Sequence, residues 1–212
     1  MKLRSSFLPL LLGAALLFSA ISRADVIVDT GTPSLGGGWD LGNGTSFTYP
    51  QWLAAKFELL QPTTITDVLG WMYVYRTAGL TVAIAADGGN IPGADLYSGS
   101  TVVSFNNYQS NWEGLTGLDW QLDAGTYWVK YEGAVDYYGG MDNPAPNPLG
   151  VEAFRSHYTG GWFRQDNLDL GVRINGHATA SNVPEGGSSL VLFGLASLLL
   201  AAWRGRVVRC RV

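Results

Sequence analysis

From Asp25 to Asn182 no stretch holds a helical period through three turns; apolar residues recur at every second position instead. Leu53, Ala55, Phe57 and Leu59 fall on one side of an extended strand, with Trp52, Lys56 and Glu58 on the other. Leu69, Trp71, Tyr73 and Tyr75 form a second such face, and Leu80, Val82, Ile84 and Ala86 a third. Tyr127, Val129 and Tyr131 alternate with Trp128, Lys130 and Glu132, and Leu168, Leu170, Val172 and Ile174 predict a last strand closed by Asn175-Gly176. Successive side chains of a strand point to opposite faces, so this pattern confines the chain to sheets with one buried side. By alternation Phe57, Trp71, Tyr73 and Tyr127 belong to the core.

Turn chemistry separates these runs at short intervals, as in Asp87-Gly88-Gly89-Asn90, Ile91-Pro92-Gly93 and Asp123-Ala124-Gly125. Asn143-Pro144-Ala145-Pro146-Asn147-Pro148 cannot pair in a ladder and is expected as a surface loop. No internal repeat is evident. Many short strands with Gly/Pro turns predict an all-β fold, a jelly-roll-like two-sheet β-sandwich of about eight to ten strands. Asp87 to Gly93 followed by Leu96-Tyr97-Ser98 resembles a segment common in secreted bacterial β-sandwiches, and Leu122 to Val129 resembles the hairpin that often follows it. That resemblance spans about 60 residues, implies fold and carries no activity.

Both ends of the chain differ from this domain. Residues 1–24 carry Lys2 and Arg4, an apolar stretch from Phe7 to Ala20, and Ser22-Arg23-Ala24 before Asp25. These are the parts of a secretory signal peptide, cut after Ala24 or, alternatively, Ala20. Residues 181–212 hold a turn at 183–187 (Val183, Pro184, Glu185, Gly186, Gly187), an apolar helix at 188–203 and a basic tail at 204–212. Gly186 to Trp203 is 18 residues without charge, near the lower limit for a membrane span. Arginines follow at once, Arg204 and Arg206 first, which orients the C-terminus to the cytoplasm.

This tail resembles the PEP-CTERM sorting signal, read by exosortases in bacteria with an outer membrane and an exopolysaccharide matrix. Val183-Pro184-Glu185 matches its turn, Phe193 to Leu200 its helix, and Arg204-Gly205-Arg206 its stop. Gly186 stands where the family has a second proline, as in a Pro-Glu-Gly-Gly variant, and Val207 to Val212 overhang the usual end. The resemblance implies an exported protein, handled by signal peptidase and an exosortase-type membrane protease or transpeptidase. It implies transient tethering to the inner membrane, then the cell surface or extracellular matrix, with a structural or adhesive role associated with exopolysaccharide.

The domain at 25–180 is long enough to bury a core. The single cysteine, Cys210, lies in the tail, so the domain has neither a disulfide nor a thiolate metal site. Six basic and sixteen acidic residues leave the domain at −10, a charge that repels phosphate backbones and argues against nucleic-acid binding.

Seven tryptophans, ten tyrosines and five phenylalanines lie in the domain. Rings outside the alternating runs include Trp39, Trp112, Tyr137, Tyr138, Tyr158 and Trp162. A flat exposed ring suits the C–H face of a sugar, and adjacent Asp, Asn or Gln suits its hydroxyls. Trp112, Asp136, Tyr137, Tyr138, Asp142 and Trp162 are therefore candidates for a lectin-like carbohydrate site; packing beneath loops is the alternative reading of the same rings. Calcium needs six to eight oxygens. Asp87, Asn90 and Asp95, or Asp136 and Asp142, could contribute, although neither set has the spacing of a calcium motif; no other cofactor is expected. The only histidines are His157 and His177, the latter expected in the exposed approach to the tail. No Gly-x-Ser-x-Gly elbow and no Glu-x-Asp-x-Glu strand occurs, so the sequence offers no catalytic constellation and a glycan-active enzyme is the weakest reading.

Overall fold

A computed structural model describes residues 24–34, 38–42, 51–156 and 160–179. The signal peptide at 1–24, but for Ala24, and the sorting signal lie outside the described residues, as do His157 and Tyr158. Among the described residues no helix is long and apolar enough to cross a membrane.

Twelve strands and no helix make up the described chain: β1 (Asp25–Asp29), β2 (Gly38–Leu41), β3 (Gln51–Leu59), β4 (Thr63–Val74), β5 (Ala78–Asp87), β6 (Pro92–Val103), β7 (Asn111–Leu122), β8 (Gly125–Gly133), β9 (Gly139–Asp142), β10 (Glu152–Ser156), β11 (Trp162–Arg164) and β12 (Val172–Ala178). Each sheet has six strands. One runs β1-β12-β4-β9-β2, with β7 also paired to β4; the other runs β11-β10-β3-β8-β5-β6. The pairs are antiparallel throughout.

The inner faces of both sheets meet in one core. Ile65, Val68, Met72 and Val74 of β4 and Val172 and Ile174 of β12 come from the first sheet. Leu53, Phe57, Leu80, Val82, Ile84, Val129 and Tyr131 come from the second. The Tyr131 hydroxyl donates to Leu69 O at 2.7 Å, which satisfies the one polar atom of a fully buried ring. With no disulfide available, removal of these faces from water is the main stabilising term.

Several expectations need correction. In β4 the buried set is Val68, Gly70, Met72 and Val74, while Leu69, Trp71, Tyr73 and Tyr75 are half-buried on the outer face. Both faces of this strand are apolar, so alternation alone cannot say which one turns inward. Phe57 is buried as expected, and Tyr127 packs against it at 5.9 Å. Asp123-Ala124 is not a hairpin turn: β7 pairs with β4 in one sheet, and β8 with β3 and β5 in the other. Its turn chemistry serves a corner between sheets instead. Leu168 and Leu170 are fully buried but precede β12, which continues past Asn175-Gly176 through a register shift. His177 accordingly sits half-buried within that strand, opposite Thr64.

Candidate functional site

The outer face of β4 carries the rings that its inner face does not need. Trp112 of β7 pairs directly with Trp71, ring centroids 5.4 Å apart edge to face. The Arg173 guanidinium lies 4.1 Å over Trp112 and is itself held by Asp29 at 3.1 Å. Farther along the strand Tyr73 contacts Tyr75 at 5.3 Å. Tyr75 also meets Tyr138 at 4.5 Å and Tyr108 at 5.0 Å, and Tyr108 meets Phe105 at 5.7 Å. Two linked groups of rings thus share one sheet face, each spacing within the range of favourable aromatic pairs.

The loop between β6 and β7 supplies the exposed end of this array. Asn106 fixes it: its side chain donates to Met72 O at 3.1 Å and accepts from Val74 N at 2.9 Å. Asn107 and Tyr108 then adopt left-handed backbone at φ 53° and 62°. Asparagine tolerates that region, whereas a tyrosine there is strained. The outcome is that Tyr108 and Phe105 stand 64% and 46% exposed at the mouth of the site.

Beside these rings is a cavity of about 450 Å³, lined by Thr32, Pro33, Trp71, Tyr108, Gln109 and Ser110. Its walls combine two rings and a proline with hydroxyl and amide groups, the mixture expected of a pocket for a small polar ligand. The buried Trp71 Nε1 finds no acceptor among the described residues.

Two acids flank the same face. The β2–β9 register sets Asp40 opposite Gly140, and Gly38 opposite Asp142; Gly140 is also opposite Tyr73. Residues directly opposite share a face, so Asp40, Asp142 and Tyr73 lie together. The glycines leave room for the phenol: a Cβ at Gly38 would come within 2.8 Å of Tyr73 Cε1, and one at Gly140 would strike Tyr73 Oη. Ser110 Oγ donates a short hydrogen bond to Asp142 Oδ2. Asp40 remains exposed, but partial desolvation by its neighbours raises its carboxyl above the ordinary range. Burial first, then the negative charges of Asp40 and Asp142, pushes the Tyr73 hydroxyl up as well.

The sequence candidates divide. Trp112, Tyr138 and Asp142 fall on this face, and Asp136 at its rim, where Arg76 Nε donates to its carbonyl at 2.8 Å. Asp142 is a buried strand residue rather than an open loop acid. Tyr137 is a correction: its ring is fully buried, because Gly133 and Gly139 leave space for it, and its hydroxyl reaches only Met72 Sδ at 3.6 Å. Trp39 is half-buried with its Nε1 bonded to Leu168 O at 3.0 Å. Trp162 belongs to the other sheet, where it packs on a small outer cluster of Ala54, Ala85, Trp128 and Ala153. Lys130 lies over its ring at 5.8 Å. Trp71 and Tyr73, which alternation assigns to the core, lie on this face instead, with Tyr75, Phe105, Tyr108 and Asp40 beside them; the sequence signal for it is a strand with two apolar faces.

The first set of calcium candidates, Asp87, Asn90 and Asp95, is engaged by protein partners. Asp87 pairs with Lys56 at 2.9 Å and accepts from Trp128 Nε1 at 3.0 Å, Asp95 pairs with Lys130 at 2.8 Å, and Asn90 Oδ1 accepts from Arg164 at 3.2 Å. A calcium ion would have to displace three cations. Among the described residues no group of three or more His, Cys, Asp or Glu side chains is placed to hold a metal. No protein-family model matches the chain, and no curated protein does.

Proposed function

We propose that this is an exported bacterial β-sandwich module that binds carbohydrate through the outer aromatic face of the β4 sheet, and so adheres to exopolysaccharide at the cell surface or in the matrix. The observation that carries this reading is the convergence of Trp71, Tyr73, Tyr75, Tyr108, Tyr138 and Phe105 on one face beside a cavity with hydroxyl and amide walls. A sugar ring presents an apolar face and a polar edge, and this surface offers partners for both. Tyr108 lines that cavity while standing largely exposed, and Phe105 packs against it from outside. The strand orders β1-β12-β4-β7 and β3-β8-β5-β6 support a jelly-roll for the scaffold.

Glycan-array binding of the purified protein tests the ligand class. Wild type should bind at least one glycan, and Tyr108→Ala should lose it; an array with no binding would end the carbohydrate reading. Delivery rests on the resemblance of the tail to the PEP-CTERM signal. Replacing Arg204 and Arg206 together should hold the protein in the inner membrane, as read by fractionation. Normal arrival at the surface would leave the tail without a sorting role.

A further inference from the structure

The charges around the aromatic face are unevenly matched. Arg173 is engaged by Asp29 and covers Trp112. At the opposite rim Arg76 faces Asp136 at 3.9 Å. Asp40 and Asp142, in contrast, form no ion pair among the described residues, and they lie diagonally across the β2–β9 ladder on the Tyr73 side. Diagonal neighbours of this kind are about 7–8 Å apart. Gly38 and Gly140 lie between the acids, and the Tyr73 ring rests over both glycines. A cation beside that ring would meet the Asp40 carboxyl, the negative field of Asp142 and the electron-rich rings of Tyr73 and Tyr75, a pairing of charge and ring that attracts ammonium groups.

We infer that the carbohydrate taken by this face is an amine-bearing one, a polysaccharide with free amino sugars, and that Asp40 sets this preference by meeting the ammonium group beside Tyr73. The inference rests on the carbohydrate reading above and adds the substrate class. The rings supply stacking that any hexose can use. Asp40 supplies discrimination, since an N-acetyl group carries no charge to pair with it. Asp142, already bonded by Ser110, adds negative field from below rather than a free contact.

The test uses the full-length chain in mild detergent and isothermal titration with a glucosamine hexasaccharide and its fully N-acetylated counterpart, alongside a panel of neutral glycans. The amine form should bind about fivefold more tightly at low salt, the upper end for an exposed ion pair, and the gap should narrow at high salt. Asp40→Asn should remove the preference while retaining the N-acetylated ligand. Asp123→Asn, just past the end of β7, controls for net charge and should leave the preference intact. Equal binding of the two hexasaccharides, or a preference that survives Asp40→Asn, overturns the inference and leaves the carbohydrate reading standing. Binding to a neutral glycan alone does the same. If no glycan binds at all, both fall. If Asp123→Asn acts as Asp40→Asn does, the preference is one of bulk charge and the assignment to Asp40 is wrong.

Discussion

Replacing Tyr108 separates the cost of the site from its use. The residue is 64% exposed, so about a third of a surface of roughly 200 Å² is covered, which at about 25 cal/mol per Å² contributes ~2 kcal/mol. Against this stands its backbone at φ 62°, where a non-glycine residue costs about 1–2 kcal/mol. Tyr108→Ala loses the contacts and keeps the strain, so stability should fall by ~2 kcal/mol. Tyr108→Gly relieves the strain but adds about 0.5–1 kcal/mol of backbone entropy to the cost of folding. It should therefore fall by only ~1 kcal/mol. For a domain of this size the melting temperature moves about 2–4 °C per kcal/mol. Scanning calorimetry should place the alanine variant about 4–8 °C and the glycine variant about 2–4 °C below wild type. Both should lose glycan affinity by about tenfold, the value of one favourable ring contact. An alanine variant as stable as the glycine variant would refute the strain argument. Unchanged affinity in both would remove Tyr108 from the site.

Tyr137→Ala should cost about 3–5 kcal/mol in denaturant unfolding, since its ring is fully buried, whereas Tyr137→Phe should cost under about 1; equal losses would mean the hydroxyl, not the ring, matters. Trp162→Ala should leave glycan affinity unchanged because that ring lies on the other sheet; a loss like that of Tyr108 would move the site there. Burial raises the Glu152 carboxyl above its ordinary 4.5, against the pull of the Leu170 and Asp169 amides at 2.9 and 2.7 Å. Its contribution to stability is full below that ordinary value and is lost as pH rises through the folded one, so Glu152→Gln should flatten this fall, and an unaltered slope in unfolding titrations would contradict it. Asp87 behaves in the opposite sense: hydrogen bonds from Lys56, then Trp128, lower its carboxyl below the ordinary 3.8. Its contribution is present above that value and is lost as pH falls through the lower folded one, so Asp87→Asn should shorten the acid limb of the stability profile.

What the sequence displayed and what it withheld have one physical cause. Leu53, Ala55 and Phe57 on β3 could be read correctly because Lys56 and Glu58 mark the outer side. The even and odd positions of β4 carry no such mark: Val68, Met72 and Val74 fill the core, and Trp71, Tyr73 and Tyr75 would fill one as well. Only the partner strands decide, through registers that pair Trp71 with Trp112 and Tyr73 with Gly140. Tyr137 reads as a loop ring for a related reason, since the two glycines that admit it into the core look in sequence like the flanks of an open loop. An antiparallel sheet needs only one apolar face to fold. The second apolar face of β4 is thus surplus to the scaffold, and its extra rings continue through Tyr75 to Tyr108 and Phe105, which packing of the core does not require. The proposed carbohydrate site is built on that surplus, so two-faced apolarity in a strand whose sheet has one open side is a pattern in which to look for a site as well as for a core.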